Sequence, residues 1–168
     1  MKAMISLTPG LDAAPEAFED ARRGRPAFGF CELYFQSAYD DTVTPPGKHV
    51  MSVFCQYAPY ELAVGDWETR RDEIGESMLD RIAEYAPDIH DCVEETQVLG
   101  PPDIETRIGL SGGHIFQGQV LPDQMWDRRL EARTPVDGLY LCGAATHPGG
   151  SVIALNGRIA AMEVLARR

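Results

Sequence analysis

Between Gly138 and Ala161 the chain reads Gly138-Leu139-Tyr140-Leu141-Cys142-Gly143-Ala144-Ala145-Thr146-His147-Pro148-Gly149-Gly150-Ser151-Val152-Ile153-Ala154-Leu155-Asn156-Gly157-Arg158-Ile159-Ala160-Ala161. The chemistry of this stretch belongs to its main chain. Gly143, Ala144 and Ala145 carry almost no side chain, so another molecule can approach their peptide groups closely. Pro148-Gly149-Gly150 marks a loop. Ser151 is a candidate N-cap, and Val152, Leu155, Ile159, Met162, Val164 and Leu165 predict an apolar helical face beyond it, with Arg167 and Arg168 in the last turn. The first-turn N–H groups of such a helix have no intrahelical partner. A carbonyl or an anionic ring edge placed there gains hydrogen bonds and roughly 0.3–1 kcal/mol from the helix dipole. Ahead of the loop, Leu139 to Cys142 follows the turn signal Asp137-Gly138 and predicts a short buried strand. The whole reads as strand, tight loop and helix, built to bring bare amides to a polar, electron-rich ligand.

Other clusters are weaker. Asp88, His90, Asp91 and Cys92 hold metal-ligating types, but their spacing matches no familiar site and a solvated loop is the better reading. Glu94-Glu95 and Asp40-Asp41 read as surface charge rather than paired acid–base groups. The sequence has no Gly-x-Ser-x-Gly, so a nucleophilic serine has no supporting motif. Tyr34, Phe35, Phe54 and Tyr57 offer either a channel wall or sheet core, and the core reading is preferred. The cysteines, Cys31, Cys55, Cys92 and Cys142, are scattered and include no Cys-x-x-Cys. They read as small core filler in a reducing cytoplasm rather than as a redox pair or a zinc site.

The elements that must carry these residues follow from periodicity. Lys2–Leu7, Ala27–Tyr39 and His49–Tyr57 predict strands, the last two an antiparallel pair across the turn at Pro45-Pro46-Gly47. A short helix is expected near Glu16–Arg22. Gly65-Asp66 offers the N-cap of a long helix with the stripe Ile74, Met78, Leu79, Ile82, Ala83 and Tyr85, ended by Ala86-Pro87. Val93–Leu99 predicts a further strand and Asp103–Ile108 a helical turn. Gly109–Val120 reads as irregular. The fold class expected is α+β, a mostly antiparallel sheet with packed helices, organised as one unit over residues 1–168.

The 168 residues suffice for one domain with a sound core. The net charge of −11, from 26 acidic against 15 basic residues, argues against nucleic acid or an anionic membrane as partner. No apolar run approaches the length needed to span a bilayer, and no signal-peptide h-region is seen.

Several motifs together resemble one family. The Leu139-Tyr140-Leu141-x-Gly143-x-x-Thr146-His147-Pro148-Gly149-Gly150 segment is similar to the C-terminal flavin motif of phytoene dehydrogenase-related oxidoreductases, in the amine-oxidase-like flavoprotein superfamily. Gly47 to Tyr60 resembles that family's substrate-side strand. Leu110 to Gly118, followed by Leu121-Pro122-Asp123-Gln124-Met125, resembles its "Gly-Gly-x-Ile-Phe … Asp-Gln" segment, and Lys2 to Leu7 resembles the strand that opens its substrate region.

The resemblance implies FAD as cofactor and hydride removal from a small apolar substrate, with no obvious side-chain acid or base. It implies that Gly143, Ala144, Thr146, His147, Gly149, Gly150, Ser151, Val152 and Ile153 contact the flavin, and that His114, Phe116 and Gln117 line the substrate side. For each set a bland alternative stands beside this: turn glycines and a helix cap for the first, a glycine-flanked turn with a buried Phe for the second. Residues 1–136 would form the substrate-side region and 137–168 the flavin-contacting strand-loop-helix.

One departure matters as much. A complete member carries a Rossmann unit with Gly-x-Gly-x-x-Gly, and this sequence contains no Gly-x-Gly. The expectation is therefore a fragment or subunit, inactive without an N-terminal FAD-binding chain or domain and weak or lacking in FAD affinity by itself. The alternative is a non-catalytic binding or oligomerisation domain derived from such an enzyme. Under both, a homo-oligomer or a complex with a second chain is expected.

Overall fold

The structure is a computed structural model that describes residues 4–150 and 152–166. Among them lie a three-stranded antiparallel sheet and five α-helices, a small α+β arrangement. The chain divides into two compact units, the first running to Pro102 and the second starting at Asp103. None of the described helices is long and apolar enough to cross a membrane.

In the first unit, strands β1 (Met4–Leu7), β2 (Phe30–Tyr34) and β3 (Ser52–Gln56) stand in the order β1-β2-β3, with Leu7 opposite Cys31 and Cys31 opposite Cys55. Side chains alternate across a sheet. Leu7, Cys31 and Leu33 are thereby buried on one face, where they meet Met78, Leu79 and Ile82 of helix α2 (Trp67–Ala83). Helix α1 (Ala13–Arg22) precedes β2, and a short α3 (Ile89–Cys92) follows α2.

The N-terminus of α2 is set by a capping box. The Asp66 carboxylate accepts from the Thr69 amide at 2.8 Å, and the Thr69 hydroxyl faces back to the Asp66 amide. The expected stripe holds at Ile74, Met78, Leu79 and Ile82, while Tyr85 lies beyond the helix and is exposed.

Three expectations for this unit are corrected. Val93–Leu99 forms no strand. It lies beside α2, where the Val98 carbonyl accepts from the Arg71 guanidinium at 3.0 Å instead of from a neighbouring strand, and Val98 sits over Gly75. Tyr34 and Phe54 are not core: both lie on the sheet face that α2 does not cover, beside Met4 and Glu32. Of the cysteines only Cys31 is buried; Cys55 is half-buried, and Cys92 and Cys142 are exposed. Lys2 lies outside the described residues.

Helix α4 (Pro101–Ile108) straddles the division. The second unit then continues with little regular structure as far as helix α5 (Leu155–Leu165). Leu139–Cys142 is not a buried strand. It makes one antiparallel bridge, Arg133 to Tyr140, and Leu139 stays 49% exposed. A strand is held by ladder bonds along its length, and the described residues give this run a single bridge.

Helix α5 starts later than the sequence suggests. Ala154 adopts a left-handed conformation at φ 58°, which halts helical propagation ahead of Leu155. The expected N-cap Ser151, with Arg167 and Arg168, lies outside the described residues. The buried face of α5 is Asn156 and Ala160, while Leu155, Met162, Val164 and Leu165 are exposed, the reverse of the expected burial.

Candidate functional site

The second unit gathers the candidate residues around a buried polar lock. Thr146 is 2% exposed. Its hydroxyl donates to the Gly143 carbonyl at 2.8 Å and its amide to the same oxygen at 3.0 Å, which closes a tight turn over Gly143–Thr146. The Asn156 side-chain amide reaches into this loop from the first turn of α5. It lies 2.9 Å from the Thr146 carbonyl, 3.0 Å from the Thr146 hydroxyl, 3.2 Å from the His147 carbonyl and 3.3 Å from the Gly149 carbonyl. The His147 amide donates to the Leu130 carbonyl at 2.7 Å, and the Pro148 carbonyl accepts from the Trp126 amide at 3.1 Å. The glycine-rich loop is therefore held at both ends by its own unit.

A second anchor is Arg129, 8% exposed. Its guanidinium donates to the carbonyls of Phe116, Gln117, Gly118 and Gln119 at 3.0–3.3 Å and approaches the Met125 sulfur at 3.5 Å. These partners are neutral. Five N–H donors in a rigid fork suit a ring of carbonyls; here the Nε is left without a hydrogen-bond partner. The clasp curls residues 116–119 around one cation, and Gly118 permits the close approach: a Cβ there would sit 2.8 Å from the guanidinium, at φ 148°.

The structure brings the two candidate groups together. A Cβ on Gly150 would lie 2.8–3.0 Å from atoms of Phe116, one of them backbone. A Cβ on Gly149 would meet the Met125 methyl at 2.6 Å. These two glycines are required by the chain's own packing. Gly143 differs: it is exposed, and among the described residues the nearest atom to a Cβ there is the Gln117 side-chain oxygen at 3.8 Å. Val152, Ile153 and Ala154, leading into α5, are exposed as well, and Ala144 and His147 are half-buried. Phe116 stacks obliquely near His114, with ring centroids 6.1 Å apart. His114 and Gln117 also line an open cleft of about 710 Å³ with Leu110, Ser111, Gln119 and Gln124.

Sequence reasoning missed Arg129 and Asn156. Each left a trace. Asn is a poor helix former, and one standing among small apolar residues signals a bonded side chain. Arg129 sits in a polar stretch where nothing marks it apart from Arg128.

In the first unit, His90 faces Asp80 at 3.1 Å and Glu76 at 3.8 Å across from α2. No group of three or more His, Cys, Asp or Glu placed to hold a metal occurs among the described residues.

No family model and no solved structure matches the chain. Curated proteins do. The mouse protein named pyridine nucleotide-disulfide oxidoreductase domain-containing protein 2 is 43% identical over 157 residues, covering 89% of this chain and 27% of its own length. A limonene dehydrogenase component from Castellaniella defragrans is 33% identical over 129 residues, covering 72% of this chain and 23% of its own. The neurosporene-forming phytoene desaturase of Rhodobacter capsulatus is 30% identical over 120 residues, covering 69% and 23%. The chain spans about a quarter of the length of these relatives. It is thus related to proteins named as oxidoreductases, dehydrogenases and desaturases, a broader relationship than to phytoene dehydrogenases alone.

Proposed function

We propose that this chain is the substrate-side and C-terminal flavin-contacting portion of an FAD-dependent oxidoreductase, as a fragment or as one subunit, acting with a separate chain or domain that grips the ADP end of FAD. The observation that carries the reading is 43% identity maintained over 89% of the chain with the mouse oxidoreductase-domain protein. Residues 1–136 would serve the substrate side and 137–168 the flavin contact, and the cytoplasm would be its compartment, where four free cysteines stay reduced.

The residues present fit the role in a graded way. Gly143 and Ala144 offer backbone at the surface, and exposed Val152 and Ile153 lead into the mouth of α5, where a helix favours an electron-rich ring edge. Thr146 and His147 act from behind by holding the loop through Gly143, Leu130 and Asn156. Gly149 and Gly150, packed from within by Met125 and Phe116, keep the turn rigid. Ser151 belongs to the same proposed set. The chemistry that FAD supplies when bound is acceptance of a hydride. The part of this chain is to position and to keep water away, with His114, Phe116 and Gln117 beside a small apolar substrate. Two relatives named for limonene and phytoene support that substrate class.

The test is a chimera in which this chain replaces the matching quarter of the mouse relative. Purification with stoichiometric FAD is the expected result, with flavin lost on Gly143→Val, which fills the open position. A folded chimera without flavin overturns the reading. The isolated chain is expected to bind FAD more weakly than micromolar, since the pyrophosphate cradle would lie elsewhere.

A second reading, a non-catalytic oligomerisation domain, is favoured by one observation: Leu155, Met162, Val164 and Leu165 stand exposed on α5. Self-association of a chain whose chimera never takes up flavin would support it.

A further inference from the structure

The register of β2 and β3 places Cys31 directly opposite Cys55. Both are free, and both belong to the sheet face that packs on α2: Cys31 is buried in the core cluster and half-buried Cys55 packs against it. We propose that Cys31 and Cys55 form a redox modification site, a cross-strand dithiol that peroxide converts into an intramolecular disulfide. This stands independently of the flavin reading.

The geometry is favourable. Residues directly opposed on antiparallel strands have Cβ atoms about 4.5–5.5 Å apart. A disulfide needs about 3.5–4.5 Å. The closure required is about 1 Å. Among the described residues strand β3 lies at the edge of the sheet, bonded to β2 on one side only, so it can move that far without breaking a second described ladder.

The two thiols are also unequal. A hydrogen bond from Cys55, with the nearby Arg81 charge adding to it, holds the Cys31 thiol below the usual range against the opposing effect of burial. The same hydrogen bond and burial push the Cys55 thiol up. The Met78 sulfur lies 3.5 Å from the Cys31 sulfur, so the pair is bounded by thioether and aliphatic groups on the α2 side.

In the first step one thiol of the pair ionises and its thiolate attacks peroxide; the O–O bond breaks, a sulfenic acid forms, and the hydroxide released takes up the thiol's proton as one water. In the second the other thiol of the pair displaces the sulfenic oxygen as a second water. In sum, two thiols and one hydrogen peroxide give one disulfide and two waters, the peroxide being reduced and each sulfur oxidised by one electron.

The experiment uses the full chain with Cys92→Ser and Cys142→Ser, both at exposed positions, so that only the opposed pair remains. The folded protein is treated with hydrogen peroxide, quenched, denatured, alkylated and digested. The expected product is a peptide joining β2 to β3, two hydrogens lighter than its reduced parts, in a chain that stays unlinked to other copies and recovers both thiols with dithiothreitol. Phenylarsine oxide, which bridges paired thiols with loss of water and needs no oxidant, is expected to block the same two residues. Recovery of Cys31 and Cys55 as alkylated thiols, or as separate sulfinic acids, overturns the proposal.

Discussion

The Asn156 side-chain nitrogen stands 2.9 Å from the Thr146 carbonyl oxygen, tying the first turn of α5 to the glycine-rich loop before it. Both residues are buried, and the Asn156 amide also reaches the Thr146 hydroxyl and the His147 and Gly149 carbonyls. Replacing Asn156 with Ala strands buried acceptors on Thr146 and Gly149. An unpartnered buried polar group costs about 1–3 kcal/mol, so N156A should lose stability in that range in urea unfolding. N156D should be at least as damaging at neutral pH, because a carboxylate cannot donate to those oxygens. An unfolding midpoint unchanged in both variants would show that the lock contributes nothing.

Gly150 and Gly143 make a matched pair. At Gly150 an added methyl meets Phe116 backbone and ring at 2.8–3.0 Å, and at Gly143 nothing among the described residues lies closer than 3.8 Å. Overpacking costs typically about 1–3 kcal/mol. G150A should destabilise by that amount and G143A by well under half of it. Equal effects in thermal unfolding would contradict the close approach of Phe116.

The capping box of α2 gives a pH signature. The Thr69 amide and hydroxyl hold the Asp66 carboxyl below its ordinary range. Since the folded value is depressed, the stabilisation is present above the unfolded value and fades as pH falls through the folded one. In D66N, where Asn caps without titrating, the acid-dependent part of this loss should be absent. Melting temperatures of the two proteins between neutral and strongly acidic pH, differing most at the neutral end, are the expected pattern; a constant gap argues against it.

Exposed Leu155, Met162 and Leu165 should leave folding unaffected when changed to Lys, since surface substitutions away from special features are usually near neutral. If this helix face is covered in an assembly, those changes should abolish concentration-dependent association in sedimentation. Unaltered sedimentation would place the contact elsewhere.

Local pattern made much of the first unit legible. The Asp66 cap and the Ile74–Met78–Leu79–Ile82 stripe depend on contacts a few residues apart, and the two strands flanking Pro45-Pro46-Gly47 are marked by their own apolar runs; all appear in the structure, the strands joined through a longer connection with two short 3-10 helices. Val93–Leu99 and Leu139–Cys142 failed as strands because an apolar run becomes a strand only where another chain segment supplies its ladder, which periodicity does not report.

The sequence by itself determined the α+β class, the main helix with its cap and the kinship with oxidoreductases, because composition, spacing and motif are written along the chain. Tertiary structure alone decided that Arg129 gathers four carbonyls, that Asn156 rather than the apolar stripe faces inward on α5, and that Cys31 meets Cys55. Each depends on which distant groups the fold makes neighbours. A buried donor is drawn to whatever acceptors packing brings within reach, and a strand's partner is set by register, so neither is visible in linear order.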